Sequence, residues 1–224
     1  MQFRNRQDAG EQLAQLLARE YKGCGGIVYP LPRGGVPLGI VIAETLELPL
    51  DLIIPRKIGH PFNPEYAICA VAEDGETVCN EQEASRVDPG WLKQRVKEER
   101  AESQRRRNAY LANREAVPLK GKTAILVDDG IATGLTMRAA IRDARFRQAA
   151  RVIVAIPVAP QDTADRLMQE VDDVVAVSID PNYLGAVGAY YNDFSQLTDK
   201  EVIDMLRKFH QQQADAKTFD AVHP

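Results

Sequence analysis

No apolar run in this chain approaches the roughly 18 consecutive residues that a membrane-spanning helix needs. Its amino end, MQFRNRQDAG, is polar, so a soluble protein that is not exported is expected. Cysteine is scarce. Cys24, Cys69 and Cys79 form no CxxC motif and are odd in number, which excludes a complete disulfide framework and points to buried free thiols in a reducing cytoplasm. Neither sign of charge prevails, with 28 Lys and Arg against 32 Asp and Glu for a net charge of −4. Nothing therefore draws the whole chain to nucleic acid or membrane, and any anion site must be local. No GxGxxG follows an apolar run and no GxxxxGK[ST] occurs, which sets aside a dinucleotide-dependent dehydrogenase and a P-loop NTPase. Internal repeats are absent as well.

What is present suits one large α/β domain, or one domain with a small appendage: 224 residues, 45% of them hydrophobic. The chain is organised around residues 123–137, TAILVDDGIATGLTM. Ala124, Ile125, Leu126 and Val127 read as a strand buried on both faces, and they end in two adjacent carboxylates, Asp128 and Asp129. Gly130 and Gly134 let the backbone turn, Thr133 and Thr136 supply hydroxyls, and a helix with Met137, Ala140, Ile141 and Ala144 on one stripe begins at once. The free N–H groups of a first helical turn, with the helix dipole behind them, form a pocket for a phosphate. Carboxylates beside such a pocket imply a divalent cation to bridge, or sugar hydroxyls that donate to them.

A second strand-loop-helix unit precedes it. Residues 27–31 (IVYPL) run into Pro32-Arg33-Gly34-Gly35, and a helix carrying Leu38, Val41, Ile42 and Leu46 follows. Paired glycines admit a close backbone approach to a ligand, and an arginine beside them matches the needs of a phosphate. Residues 51–55 (DLIIP) read as another strand, with Arg56 and Lys57 just past its end, where ligands bind in open α/β sheets.

The stretch VDDGIATGLT resembles the phosphoribosyl-pyrophosphate (PRPP) motif of the type I phosphoribosyltransferases, whose commoner form has a branched apolar residue at the place of Gly130 and a small or basic one at that of Leu135. Pro32-Arg33-Gly34-Gly35 resembles the pyrophosphate loop of the same family, in which the peptide beside the glycines often takes an unusual conformation. The resemblance covers nearly the whole chain. It implies a three-layer, doubly wound α/β fold with a mainly parallel sheet, an antiparallel hairpin or flexible loop, and a C-terminal hood. Residues 1–210 are then a single domain, with the hairpin and a long charged helix inserted at 57–118 and the hood at 180–197; residues 211–224 are expected as a polar, frayed tail.

The rest of the chain is read around that frame. A helix begins near Asp8, with Leu13, Leu16 and Leu17 on one stripe. Residues 66–72 and 76–80, joined through Asp74-Gly75, form a hairpin that belongs at the far edge of the sheet. From Asp88 or Pro89 to about Asn113 runs a charged helix with only a partial apolar stripe of Trp91, Val96, Tyr110 and Leu111; intrahelical ion pairs are its default, and nucleic acid binding through Arg105-Arg106-Arg107 is the lesser reading. Strands follow at 151–157 and 174–179, with a helix near 161–171 between them, and Thr198 caps a closing helix. Both glycine loops serve one ligand, so the strands carrying them should be neighbours.

The resemblance implies transfer of 5-phosphoribosyl from PRPP to a nitrogenous base or related amine, with pyrophosphate leaving. Asp128 and Asp129 would meet the ribose hydroxyls and contribute to holding Mg²⁺, which is carried chiefly by the substrate. Ile131, Ala132, Thr133, Gly134, Leu135 and Thr136 would hold the 5′-phosphate; Arg33, Gly34, Gly35, Arg56 and Lys57 would hold pyrophosphate. Tyr183, Tyr190 and Phe194 of the hood would stack on the base. Hypoxanthine- and guanine-type relatives carry an aspartate where Ala132 stands, so 6-oxopurines are expected to be poor acceptors, while adenine, a pyrimidine or another amine stays open. A homodimer stays open too. A phospho-acceptor receiver domain also places an acidic pair after a strand, but it needs a further acid where Ile156-Pro157 stand. The rival from another class is a non-catalytic regulator that keeps the fold as a PRPP or nucleotide sensor.

Overall fold

The computed structural model describes the backbone of residues 2–222 and the side-chain surroundings of residues 2–215. In chain order its elements are α1 (Arg6–Tyr21), β1 (Ile27–Pro30), α2 (Gly35–Leu46), β2 (Arg56–His60), β3 (Asn63–Val71), β4 (Val78–Cys79), α3 (Glu81–Ala84), α4 (Pro89–Tyr110), β5 (Thr123–Val127), α5 (Leu135–Phe146), β6 (Arg151–Pro160), α6 (Gln161–Met168), β7 (Asp173–Asp180), a 3-10 turn (Val187–Tyr190) and α7 (Asp199–Val222).

Four strands form a parallel sheet in the order β1-β5-β6-β7. Side chains alternate across a strand, and here both faces are buried. Val28, Ile125, Val127 and Ile153 pack with α1, α2 and α7, whereas Ile27, Tyr29, Leu126 and Val154 pack with α5 and α6. The three-layer, doubly wound expectation is met. β1 and β5 are neighbours, with Pro30 opposite Val127, so the loops that follow them open side by side.

The hairpin departs from expectation. It belongs to a separate antiparallel sheet, β2-β3-β4, rather than to the edge of the parallel one. Residues 51–55 are not a strand: only Leu50 bridges to Val28, and Arg56 opens β2 instead of standing past a strand end. The cause lies on α4. Arg107 donates to the Leu52 carbonyl and Ser103 to that of Ile54, so side chains take the place of a strand partner. Two of the cysteines also correct the sequence reading. Cys69 and Cys79 lie opposite each other on β3 and β4 and are joined as a disulfide, while Cys24 is free and exposed rather than buried.

α4 is capped by Asp88, whose side chain accepts from the Trp91 amide, and starts with proline. Its buried stripe is polar: Glu99, Ser103, Arg107 and Tyr110. Glu99 accepts from Arg56 at 2.9 Å and Arg107 pairs with Asp51. Arg105 and Arg106 both bind Glu102, which agrees with the expected intrahelical ion pairs. α1 is capped by Asn5, ahead of the position expected to start it, and Asp8 pairs instead with Arg4. A reciprocal cap starts α7: the Glu201 amide donates to Thr198 Oγ1 while the Thr198 amide donates to Glu201 Oε2. α7 runs to Val222, so the expected frayed tail is helical; residues 223–224 of it lie outside the described residues.

Glu73, in the turn between β3 and β4, is boxed in by Arg147 at 3.1 Å and Arg107 at 3.6 Å, yet burial pushes its carboxyl up to about 7, against the pull of both arginines. A carboxyl raised on folding holds its proton more tightly in the native state, so its contribution is complete at low pH and is lost as pH rises through the folded value. Stability is expected to fall by roughly 2–3 kcal/mol between about pH 4.5 and 7 from this group. Denaturant midpoints at pH 5 and 8 measure it, and Glu73→Gln should flatten the difference.

Candidate active site

The loop after β1 lies directly on the end of β5. The Leu31 amide donates to the Val127 carbonyl at 2.8 Å, and the Pro32–Arg33 peptide is cis. A Cβ at Gly34 would stand 2.0 Å from Asp129 Oδ2, and one at Gly35 2.5 Å from the Val127 carbonyl oxygen. Only hydrogen fits at either place, which is the physical content of the paired glycines.

Asp128 and Asp129 sit at the mouth of β5, half-buried. Asp128 Oδ1 accepts from the Asp129 amide at 2.9 Å. Burial, and then the charge of Asp129, hold the Asp128 carboxyl well above the usual carboxylate range, with Lys57 pulling the other way. Burial raises Asp129 too, opposed chiefly by Arg6, whose Nε donates to Asp129 Oδ2 at 2.8 Å. Two half-buried like charges side by side create a place where a cation or a set of hydroxyl donors is favoured.

The next loop is braced from behind. The Ile131 amide donates to the Val158 carbonyl, and Thr163 Oγ1 on α6 donates to the Ala132 carbonyl, both at 2.9 Å. Gly134, at φ 74°, precedes α5, and no side chain caps the helix, so its first-turn amides are left for a ligand. Ala132 and Thr133 are exposed, and Leu135 and Thr136 half-buried. Beside them lies a cavity of about 630 Å³, lined by Lys57, Ala132, Thr133, Arg138 and Arg166 among others. Gly130 has φ 149°, and a Cβ there would meet Val187 Cγ1 of the hood at 2.6 Å. The glycine that departs from the commoner motif is explained by this contact.

The sequence-predicted cations separate. Along β2 alternate side chains face opposite ways: Lys57 lies near enough to Asp128 to lower its carboxyl, whereas Arg56 turns to Glu99 on α4. Arg33 is about one-third exposed and stands 3.6 Å from Asp199 at the start of α7. The three hood aromatics separate as well. Tyr190 is buried, with its hydroxyl donating to Asp180 and accepting from the Leu184 amide. It is a core residue, unable to stack on a ligand. Tyr183 stacks on it at 5.4 Å and stays half-exposed, its hydroxyl pushed up to about 12 by burial and then by the charges of Tyr190 and Asp129. Phe194 lies under the Arg6 guanidinium, 4.0 Å from ring centroid to carbon. Sequence reasoning missed Arg6 and Tyr191, whose hydroxyl donates to the Asp129 carbonyl at 2.6 Å. No periodicity singles out Arg6 in its polar decapeptide, and Tyr191 was hidden by its neighbour Tyr190.

The sequence profile of the phosphoribosyl transferase domain matches residues 2–193. The chain belongs to the phosphoribosyl transferase domain family. A Mycobacterium tuberculosis (strain H37Rv) protein named as phosphoribosyl transferase Rv0571c is 40% identical over 221 residues, 98% of this chain and 49% of the relative, so the chain spans about half the length of that curated relative. The solved structure of TT1426 from Thermus thermophilus superimposes with a TM-score of 0.78 at 38% identity, covering 93% of this chain and 99% of the other. AQ2163 from Aquifex aeolicus, at 11% identity and a TM-score of 0.50 over 78% of this chain and 74% of that one, shares the fold. For a phosphoribosyl transferase domain, both motifs found by sequence fall at the carboxyl ends of two adjacent parallel strands. Among the described residues no helix is long and apolar enough to cross a membrane.

Proposed function

We propose that this phosphoribosyl transferase domain transfers 5-phosphoribosyl from PRPP to a nitrogen nucleophile and releases pyrophosphate. The observation that carries the reading is the apposition of Gly34 to Asp129, which joins a pyrophosphate-type loop to a paired-carboxylate ribose site within one crevice. Cleavage at the anomeric carbon leaves positive charge on the ribose and negative charge on the leaving group, and stabilising both is most of the catalytic task.

Each residue then has a distinct role. Asp128 and Asp129 accept from the 2′- and 3′-hydroxyls and stabilise the cationic sugar. The uncapped amides of α5, with the hydroxyls of Thr133 and Thr136, hold the 5′-phosphate. Lys57 and Arg33, with the backbone at Gly34 and Gly35, hold pyrophosphate; Arg56 is already committed to Glu99 and is left out. Among the described residues no cluster of three His, Cys, Asp or Glu side chains forms a resident metal cage. Two adjacent carboxylate donors fit Mg²⁺ that arrives on the substrate's phosphates, since this ion is typically held by one or two carboxylates plus phosphate oxygens. Bound there, Mg²⁺ would neutralise charge building on pyrophosphate. A cytoplasmic place in nucleotide salvage belongs to the same proposal.

Release of pyrophosphate from Mg²⁺-PRPP, assayed across adenine, guanine, hypoxanthine, xanthine, uracil and orotate, tests it. Ala132 has no titratable group to handle a purine N7 proton, so the 6-oxopurines are expected to be poor acceptors. Binding of PRPP without turnover on any acceptor would transfer the domain to the sensor class. A narrower expectation concerns Thr133, which is exposed and lines the cavity beside its loop: Thr133→Val should weaken PRPP binding about fivefold to tenfold and leave the thermal midpoint unchanged, by calorimetry and thermal melts.

A further inference from the structure

The function proposed above gives Arg6 no direct contact with PRPP, yet its guanidinium is bound to one of the site's carboxylates. It opens α1, and its guanidinium makes three contacts with distant parts of the chain. Nε donates to Asp129 Oδ2 at 2.8 Å, Nη1 donates to the Ser195 carbonyl at 2.8 Å, and the plane lies 4.0 Å from the centre of the Phe194 ring. The side chains of Arg6 and Asp129 are only 12% and 14% exposed.

We propose that Arg6 is a positioning residue that yokes Asp129 to the hood, so that filling the ribose subsite and ordering the hood are one coupled event; the coupling to PRPP rests on the function proposed above. Arg6 engages Asp129 at Oδ2, one of its two carboxylate oxygens. The opposite edge of the same rigid fork grips the hood at Ser195, and its face grips Phe194. A planar guanidinium can do all three at once; an ammonium is a point charge and cannot. The yoke is reinforced on both sides. The Tyr191 hydroxyl binds the Asp129 backbone, and the Phe3 amide and carbonyl pair with Tyr190 and Asn192. The amino-terminal strap, the hood and the ribose carboxylate thus meet at one side chain. Lys57, near Asp128, belongs to the other carboxylate.

Hydrogen exchange of hood amides 184–195, with and without Mg²⁺-PRPP, is combined with calorimetry on the wild type, Arg6→Gln and Arg6→Lys. In the wild type, Mg²⁺-PRPP should slow exchange across the hood. Arg6→Gln should speed hood exchange before any ligand is added, abolish the slowing by PRPP, and weaken PRPP binding about tenfold or more. Arg6→Lys keeps the charge beside Asp129 but loses Ser195 and the flat face on Phe194. Its affinity should stay within about threefold of the wild type while its hood exchanges as fast as in Arg6→Gln. That split separates a yoke from general support of the fold, which would move both readouts together and lower the thermal midpoint. Unchanged hood exchange in ligand-free Arg6→Gln overturns the inference, and so does parallel loss of both readouts in the lysine variant. Should the wild type fail to bind Mg²⁺-PRPP while the ligand-free hood still loosens in Arg6→Gln, the PRPP function falls and the yoke stands.

Discussion

Replacing Asp128 and Asp129 together by asparagine should lower turnover of PRPP by about a thousandfold or more and leave the thermal midpoint nearly unchanged. The two carboxylates are half-buried beside each other, and the charge of Asp129 helps to hold Asp128 above the usual carboxylate range. Amides of the same shape remove that repulsion, and an asparagine oxygen can still accept from Arg6. Stability therefore has little to lose, whereas the developing positive charge on the ribose loses both of its counter-charges. Asp128→Asn alone should stabilise the protein at pH 8 more than at pH 5, because the raised carboxyl costs stability only once the medium is basic enough to ionise it. Pyrophosphate release and melting curves on the single and double variants check both parts; wild-type turnover in the double variant would remove the pair from the ribose site.

Gly34→Ala should be nearly as damaging to function through sterics alone. Its Cβ would fall 2.0 Å from Asp129 Oδ2 and 2.5 Å from Cγ, so the carboxylate must leave its place or the loop must lift. Overpacking of this kind costs about 1–3 kcal/mol, and PRPP affinity should drop by about a hundredfold or more, since the displaced group is the one proposed to bind ribose. Combining Gly34→Ala with Asp129→Ala removes the clash but leaves the Arg6 guanidinium without its carboxylate, so the two changes should be non-additive in stability and none of the affinity should return. Gly35→Ala offers no such rescue, because its obstacle is the Val127 carbonyl, and backbone cannot be trimmed. Denaturant titrations and calorimetry on these variants measure each term.

Most of this architecture was legible because its signals are local. A strand buried on both faces, a turn of glycines and a capped helix can each be recognised without knowing their neighbours, and the need of one ligand for both glycine loops was enough to place β1 beside β5. The misreadings share a cause. Residues 51–55 have the composition of a strand, but Ser103 and Arg107, far away on a helix that looks uniformly solvated, claim their carbonyls. The α4 stripe was missed because apolar periodicity cannot reveal a face buried through hydrogen bonds. Cys69 and Cys79 are bonded because the hairpin register sets them opposite each other, and a count of cysteines carries no register. Arg56 and Lys57 looked equivalent as a pair; the alternation of β2, once its true start is known, sends them to opposite sides. Arg6 reaches Asp129 across 123 residues of chain, a distance at which nothing local can announce a partner.

The contact between Gly130 and Val187 limits how this loop can be exchanged with others. Grafting the branched residue of the commoner motif onto position 130 would drive a side chain into the Val187 methyls from a backbone of φ 149° that branched residues do not adopt. Trimming Val187 would clear the space but leave the backbone unsuited, so a successful graft has to bring its own hood and its own loop path together. The motif is not an interchangeable cassette in this chain, and substitutions at positions 130 and 187 should be inherited as a pair.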